Sequence, residues 1–264
     1  MASNIVKKSF TFDEFIVETQ KELPADYHDN YFESSKTGSR DFTGTKSFAE
    51  ATEYLKYGWP EGVTELKTEL DNLKPATAPA LECIFDVAGE EPDIGRFLSG
   101  EPENMVEYQT VNRDGIKFVD VYVCYSYNCS WSTRDVIKRG AAILSNIDGL
   151  EANGYRCRII GYQSAQYNRR RKKTGLQVTV LLKDYNEALE LDRMAFCLVS
   201  PSMYRRMGFK LDELHQPSMS NHSYGFDLSY TVPKDSNASI QIDRSMFAPR
   251  DINREFMNYL NSTE

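Results

Sequence analysis

Val119–Asp135 reads V-D-V-Y-V-C-Y-S-Y-N-C-S-W-S-T-R-D, and its reading decides the fold. The first part, Val119–Tyr125, is almost continuously apolar, as expected of a central strand buried on both faces. The second part turns polar and hydroxyl-rich, and Ser132 or Thr133 stands where a helix N-cap belongs. From there to Ala152, Val136, Ile137, Ala141, Leu144, Ile147 and Leu150 keep close to a 3.6-residue period, and Asn153-Gly154 is a stop signal. Tyr155–Ser164 (YRCRIIGYQS) reads as the next strand. Strand 117–125, helix 133–152 and strand 155–164 therefore make a β-α-β unit, with parallel strands and a right-handed crossover expected. A polar, basic insert follows, then the apolar run Leu176–Leu182 (LQVTVLL), which together with 155–164 predicts a hairpin with a charged tip.

Working outward, residues 9–23 place Phe12, Phe15, Ile16 and Leu23 on one helical face, and Pro24 ends that helix. Residues 25–46 are polar, aromatic and glycine-dotted, which suggests a loop docked by its aromatics. Ser47-Phe48-Ala49-Glu50 is a capping box that opens a helix to about Lys56, and a second helix is expected over 62–74. Trp59, between Gly58 and Pro60, reads as a structural wedge. PATAPA over 75–80 is a short linker. Leu81–Val87 and Met105–Val111 read as strands around an acidic segment. Asn186–Ser200 is a helix, 238–243 a strand, and a last helix follows Pro249. The expected fold is α/β: a central, mostly parallel sheet with an N-terminal helical extension. The extension spans 1–75 and docks on an α/β core of 81–264 as one compact unit.

The chain of 264 residues carries 31 basic and 39 acidic side chains, a formal net charge of −8. Such a chain repels polyanions at long range, so nucleic-acid binding requires a local basic patch. Five cysteines occur without a C-x-x-C and mostly inside apolar patterns, which reads as reduced thiols in a cytoplasmic protein. His28, His215 and His222 are far apart and lack zinc-ligand spacing. No run approaches the ~20 apolar residues of a membrane span. Phosphate-loop patterns and G-x-S-x-G are both absent, and Ser126, Ser130, Ser132, Cys124 and Cys129 have no base that the sequence places beside them. Neither catalysis nor a cofactor is called for.

The order strand, long helix, strand, antiparallel hairpin strand, helix over residues 117–200 resembles a von Willebrand factor A domain. In that family the first central strand ends in Asp-x-Ser-x-Ser, which binds a magnesium-type ion. Here the matching residues are Asn128, Ser130 and Ser132. An amide in place of the lead carboxylate removes a full charge from a site for a hard cation, so the resemblance implies a degenerate site with no metal. A second set of segments, G-W-P-E-G (58–62), R-G-A-A-I-L (139–144), L-E-A-N-G-Y-R (150–156), L-D-R-M-A-F (191–196) and R-R-M-G-F (205–209), resembles an uncharacterised domain family of tailed phages. That resemblance implies a phage-encoded protein working in the host cytoplasm.

The sharpest local feature is the run Arg169, Arg170, Arg171, Lys172 and Lys173, five cations side by side in an acidic chain. Tyr162 and Tyr167 precede it, and Arg156 and Arg158 lie on the same expected strand. Cations that release counterions from phosphates, next to rings that can stack on bases, suit nucleic acid, single-stranded forms included. Edge hairpins also carry Lys and Arg to block aggregation. The leading expectation is a non-enzymatic binding protein that engages nucleic acid through the hairpin tip. The rival is an adaptor for a host or phage protein on a metal-free von Willebrand A-like scaffold. A metal-dependent or hydrolytic enzyme ranks last.

Overall fold

The computed structural model describes residues 4–24, 31–33, 40–73, 81–110, 117–169, 172–215, 226–227, 230–233 and 238–263, with side chains described for all but 4, 40, 41, 81–83, 108–110, 166–169, 172–174, 226, 227 and 263. The chain opens with β1 (Asn4–Phe10), α1 (Phe12–Thr19), α2 (Arg40–Thr43), α3 (Phe48–Tyr57) and α4 (Pro60–Asp71). A small unit follows, made of β2 (Leu81–Asp86), β3 (Glu91–Pro92), α5 (Ile94–Ser99) and β4 (Met105–Thr110). The β-α-β unit and hairpin are β5 (Lys117–Cys124), α6 (Thr133–Ala152), β6 (Tyr155–Arg169) and β7 (Lys172–Lys183). The C-terminal part holds α7 (Leu191–Met194), π-helical stretches at Ala195–Val199 and Met203–Gly208, α8 (Phe209–His215), β8 (Phe226–Asp227), β9 (Ser239–Ile242) and α9 (Pro249–Thr263).

The main sheet has the order β1-β7-β6-β5-β9, with β8 paired to β6. β1 with β7, β5 with β6 and β5 with β9 are parallel, while β7 and β8 run antiparallel to β6. The fold is α/β with a mostly parallel sheet, as expected. One strand was not: the N-terminal segment is helical only from Phe12, and Asn4–Phe10 forms an edge strand beside β7. The helix reading over 9–23 overlaps this strand at Ser9 and Phe10 because it missed a second capping box. Thr11 Oγ1 accepts from the Glu14 amide, and Glu14 accepts in return from the Thr11 amide.

β2, β4 and β3 form a second, antiparallel sheet of their own. The strands expected near 81–87 and 105–111 are present, but they do not join the main sheet.

α6 is the central helix. Ser132 caps it in a box with Asp135, and its burial runs from Val136 nearly to its end. It packs on the sheet and also meets α4, α9 and the first π-helical stretch. The contact with that stretch is backbone-close: a Cβ on Gly140 would lie 2.7 Å from the carbonyl oxygen of Leu198. Trp59 is buried, and its ring fills the space above Gly62, where a Cβ would fall about 2.0 Å from the indole. This is the wedge the sequence suggested.

Two charged residues from the second π-helical stretch fasten the N-terminal segment to the core. Arg205 Nη1 donates to the Phe42 carbonyl at 2.5 Å, and Arg206 Nη1 donates to the Phe32 carbonyl at 2.7 Å. Ser202 Oγ donates to the carbonyl of Thr43. Lys210 Nζ lies 4.3 Å above the Phe32 ring, and Arg205 sits 4.1 Å above that of Phe42. The docking by aromatics is thus joined by guanidinium groups held on backbone carbonyls.

Candidate nucleic-acid interface

The β6–β7 hairpin is long. Its ladder runs from Ile160 opposite Leu181 out to Arg169 opposite Lys172, with an irregularity at Ile159. Arg170 and Arg171 lie outside the described residues, as do the side chains of Tyr167, Arg169, Lys172 and Lys173. What can be described is the sheet that carries them.

That sheet has two unlike faces. Leu176, Val178, Val180 and Leu182 of β7 alternate into the main core under the helices. Gln177 and Thr179 point the other way, where they meet Lys7 and Ser9 of β1 in register. Thr179 Oγ1 donates to Ser9 Oγ at 2.8 Å. Together with Arg158, Leu181 and Tyr230 these residues line an open groove of about 430 Å³ across this second face. Tyr122, Cys124 and Tyr162 make a small second core on this face, covered by Tyr230 and Val232.

Two expected nucleic-acid ligands are engaged within the protein. Tyr162 is 3 % exposed and stacks on Tyr230, with ring centroids 4.3 Å apart. Its hydroxyl accepts from Gln241 at 3.2 Å, and burial pushes its pKa well up. It offers no free face to a base, because β6 alternation turns it under residues 230–233. Arg158 is held by Asp120, with Nε and Nη2 donating to the two carboxylate oxygens at 2.7 and 2.8 Å. Tyr185 adds a third bond to the same carboxylate at 2.5 Å. Asp120 is fully buried, so its charge is compensated locally and Arg158 is raised above the ordinary guanidinium value by that bond. Arg156 is exposed, at the far end of β6 from the basic run. Arg205 and Arg206, which could have widened a basic face, are buried on carbonyls instead, and Arg193 is engaged with Glu190 and the Phe12 ring.

The turn after β5 is closed by local hydrogen bonds. Asn128 Oδ1 accepts from the amide and hydroxyl of Ser130 at 3.0 and 3.1 Å. Ser132 Oγ donates to Asp135 at 2.7 Å, which holds that carboxyl below its usual range. The guanidinium of Arg205 donates to the carbonyls of Asn128 and Trp131 at 2.8 and 3.3 Å. A fixed cation therefore stands against the backbone of this turn. Sequence reasoning missed the buried role of Arg205 and that of Arg139, whose guanidinium donates to the carbonyls of Met246 and Asp243 at 2.9 and 3.2 Å. The only available signal was their position inside apolar runs, R-R-M-G-F and R-G-A-A-I-L. Among the described residues no group of three or more His, Cys, Asp or Glu side chains is placed to hold a metal ion. His215 lies 3.1 Å from Glu18, and His28 and His222 fall outside the described residues. Cys157 and Cys197 are buried, and burial pushes both thiols up to about 12. Cys129 is exposed. No described helix is long and apolar enough to cross a membrane.

Neither the curated proteins nor the solved structures contain a match to this chain. One family model does match, over residues 11–263, and the chain accordingly belongs to the family it describes, a domain of unknown function (DUF7192).

Proposed function

We propose that the protein is a non-enzymatic binding protein that engages nucleic acid along the β6–β7 hairpin and the adjoining groove of the sheet face lined by Lys7, Thr179 and Tyr230. The observation that carries this reading is the register of β1. Asn4 pairs with Thr174 and Lys7 with Gln177, so an exposed lysine lies on the open face four residues along the strand from Lys173. At about 3.3 Å per residue that is roughly 13 Å, a spacing a phosphate backbone can bridge. Lys7 thereby extends the basic run into the groove. There Gln177 and Thr179 supply polar groups and Tyr230 takes over the stacking role first given to Tyr162. Single strands, with unpaired bases to stack, fit such a face.

Binding to a labelled oligonucleotide should weaken steeply as salt rises. Lys7→Ala should weaken it uniformly across sequences and lower the log–log salt slope by about 0.7–0.9. Replacing Arg169–Lys173 by serines should remove most of the affinity. Salt-insensitive binding, or none, overturns the proposal.

The order β5, α6, β6, antiparallel β7 and a following helix supports the likeness to a von Willebrand A domain, and with it the adaptor reading. The tight local bonding of Asn128, Ser130 and Ser132 fits a scaffold that works without the ion. In both readings the chain is phage-encoded and acts in the host cytoplasm.

A further inference from the structure

The small β2-β4-β3 unit has a surface that nothing in the nucleic-acid reading uses. Between Leu81 and Thr110 there are eight acidic residues and one basic, a net charge of −7 out of the chain's −8. The one cation, Arg96, is consumed: it lies 3.8 Å above the Phe85 ring and pairs with Glu101 at 3.0 Å. α5 is only six residues long, capped by Asp93 at one end and by Gly100 in the left-handed region (φ 77°) at the other. It turns Ile94, Phe97 and Leu98 to solvent at 70, 63 and 78 % exposure. Their i, i+3, i+4 spacing puts all three on one face. The same unit exposes Asp86, Glu90, Glu91, Glu101 and Glu103. An exposed apolar helix face on a strongly anionic unit has the character of a docking site rather than of a solvated helix.

We infer that α5 and its acidic surroundings dock a basic amphipathic segment of a partner protein, apolar on one side and rich in Lys or Arg on the other. Charge selects this occupant. Nucleic acid and anionic membrane are repelled by a unit of charge −7. Two copies of the unit facing each other repel equally. A cationic amphipathic segment gains at both levels, burying the three apolar side chains while its charges meet the acidic side chains of the unit. This inference stands independently of the hairpin.

The test uses the full chain and a synthetic fluorescent peptide with leucines on one helical face and lysines on the other. A scrambled peptide of the same composition serves as the control for charge alone. Fluorescence anisotropy should show the patterned peptide binding at least about tenfold more tightly than the scrambled one. The double variant Phe97→Ser/Leu98→Ser should lose that advantage, again about tenfold or more. Both side chains are exposed, so the variant should keep its melting temperature, which separates lost docking from lost folding. Equal binding of the two peptides, or unchanged binding by the double variant, overturns the inference. So does sedimentation showing a wild-type dimer that the double variant abolishes, because a second copy would then own the patch.

Discussion

Arg205 takes a guanidinium into a site 1 % exposed with no carboxylate partner among the described residues. Its neutraliser is backbone: the carbonyls of Phe42, Asn128 and Trp131. Desolvation pulls its pKa down, yet a guanidinium stays charged throughout the accessible pH range. The arrangement persists because one planar fork reaches three acceptors from two segments, which an ammonium group cannot do. Arg205→Met should therefore leave buried carbonyls unpaired and cost about 2–3 kcal/mol in denaturant unfolding. Arg205→Lys should recover less than half of that loss. A lysine variant within about 0.5 kcal/mol of the wild type would show that the charge alone matters, and not the fork. This residue also marks a limit of legibility. In the sequence Arg205-Arg206 reads as one more basic pair, and nothing local distinguishes it from Arg170-Arg171. Only the π-helical turn and the carbonyls brought from 32, 42, 45 and 128 bury it.

At the scale of elements, α6 was readable to its ends. Its signals are local: the Ser132–Asp135 box, a 3.6-residue apolar period, and Gly154 at φ 82° after Asn153. β1 was not readable, because N-I-V-K-K-S-F has no clean alternation and its strand character comes from pairing with a partner about 170 residues away. The same holds for 186–200. There the helix is confined to Leu191–Met194 and continues as a π-helical stretch pressed against α6. That contact fixes Gly140. In an isolated helix Gly140→Ala would gain about 1 kcal/mol of propensity. Here the new Cβ meets the Leu198 carbonyl at 2.7 Å, a backbone atom that cannot rotate away. The expected outcome is net destabilisation of about 1–3 kcal/mol, read as a lower denaturant midpoint with an unchanged slope. A stabilised variant would mean that the π-helical stretch is free to retreat and does not pin α6.

Over the whole molecule, the composition hides a strong division of charge. With 81–110 holding −7 of the −8, the remainder of the chain is nearly neutral. The acidic balance that seemed to argue against a polyanion partner thus belongs almost wholly to one small unit. A nucleic acid approaching the hairpin still feels that unit at a distance set by screening, about 30 Å at 0.01 M salt and about 8 Å at 0.15 M. Neutralising two exposed carboxylates of the unit, Glu90→Gln/Glu103→Gln, should therefore tighten oligonucleotide binding roughly twofold at the lower salt and leave it unchanged at the higher. Neither residue touches the groove, so a gain that survives high salt would have to come from contact and would refute a purely long-range effect. No gain even at low salt would mean that the acidic unit is turned away from the path of approach. In that case the two charged surfaces serve their partners without competing, and the −8 of the whole chain has no bearing on what the hairpin binds.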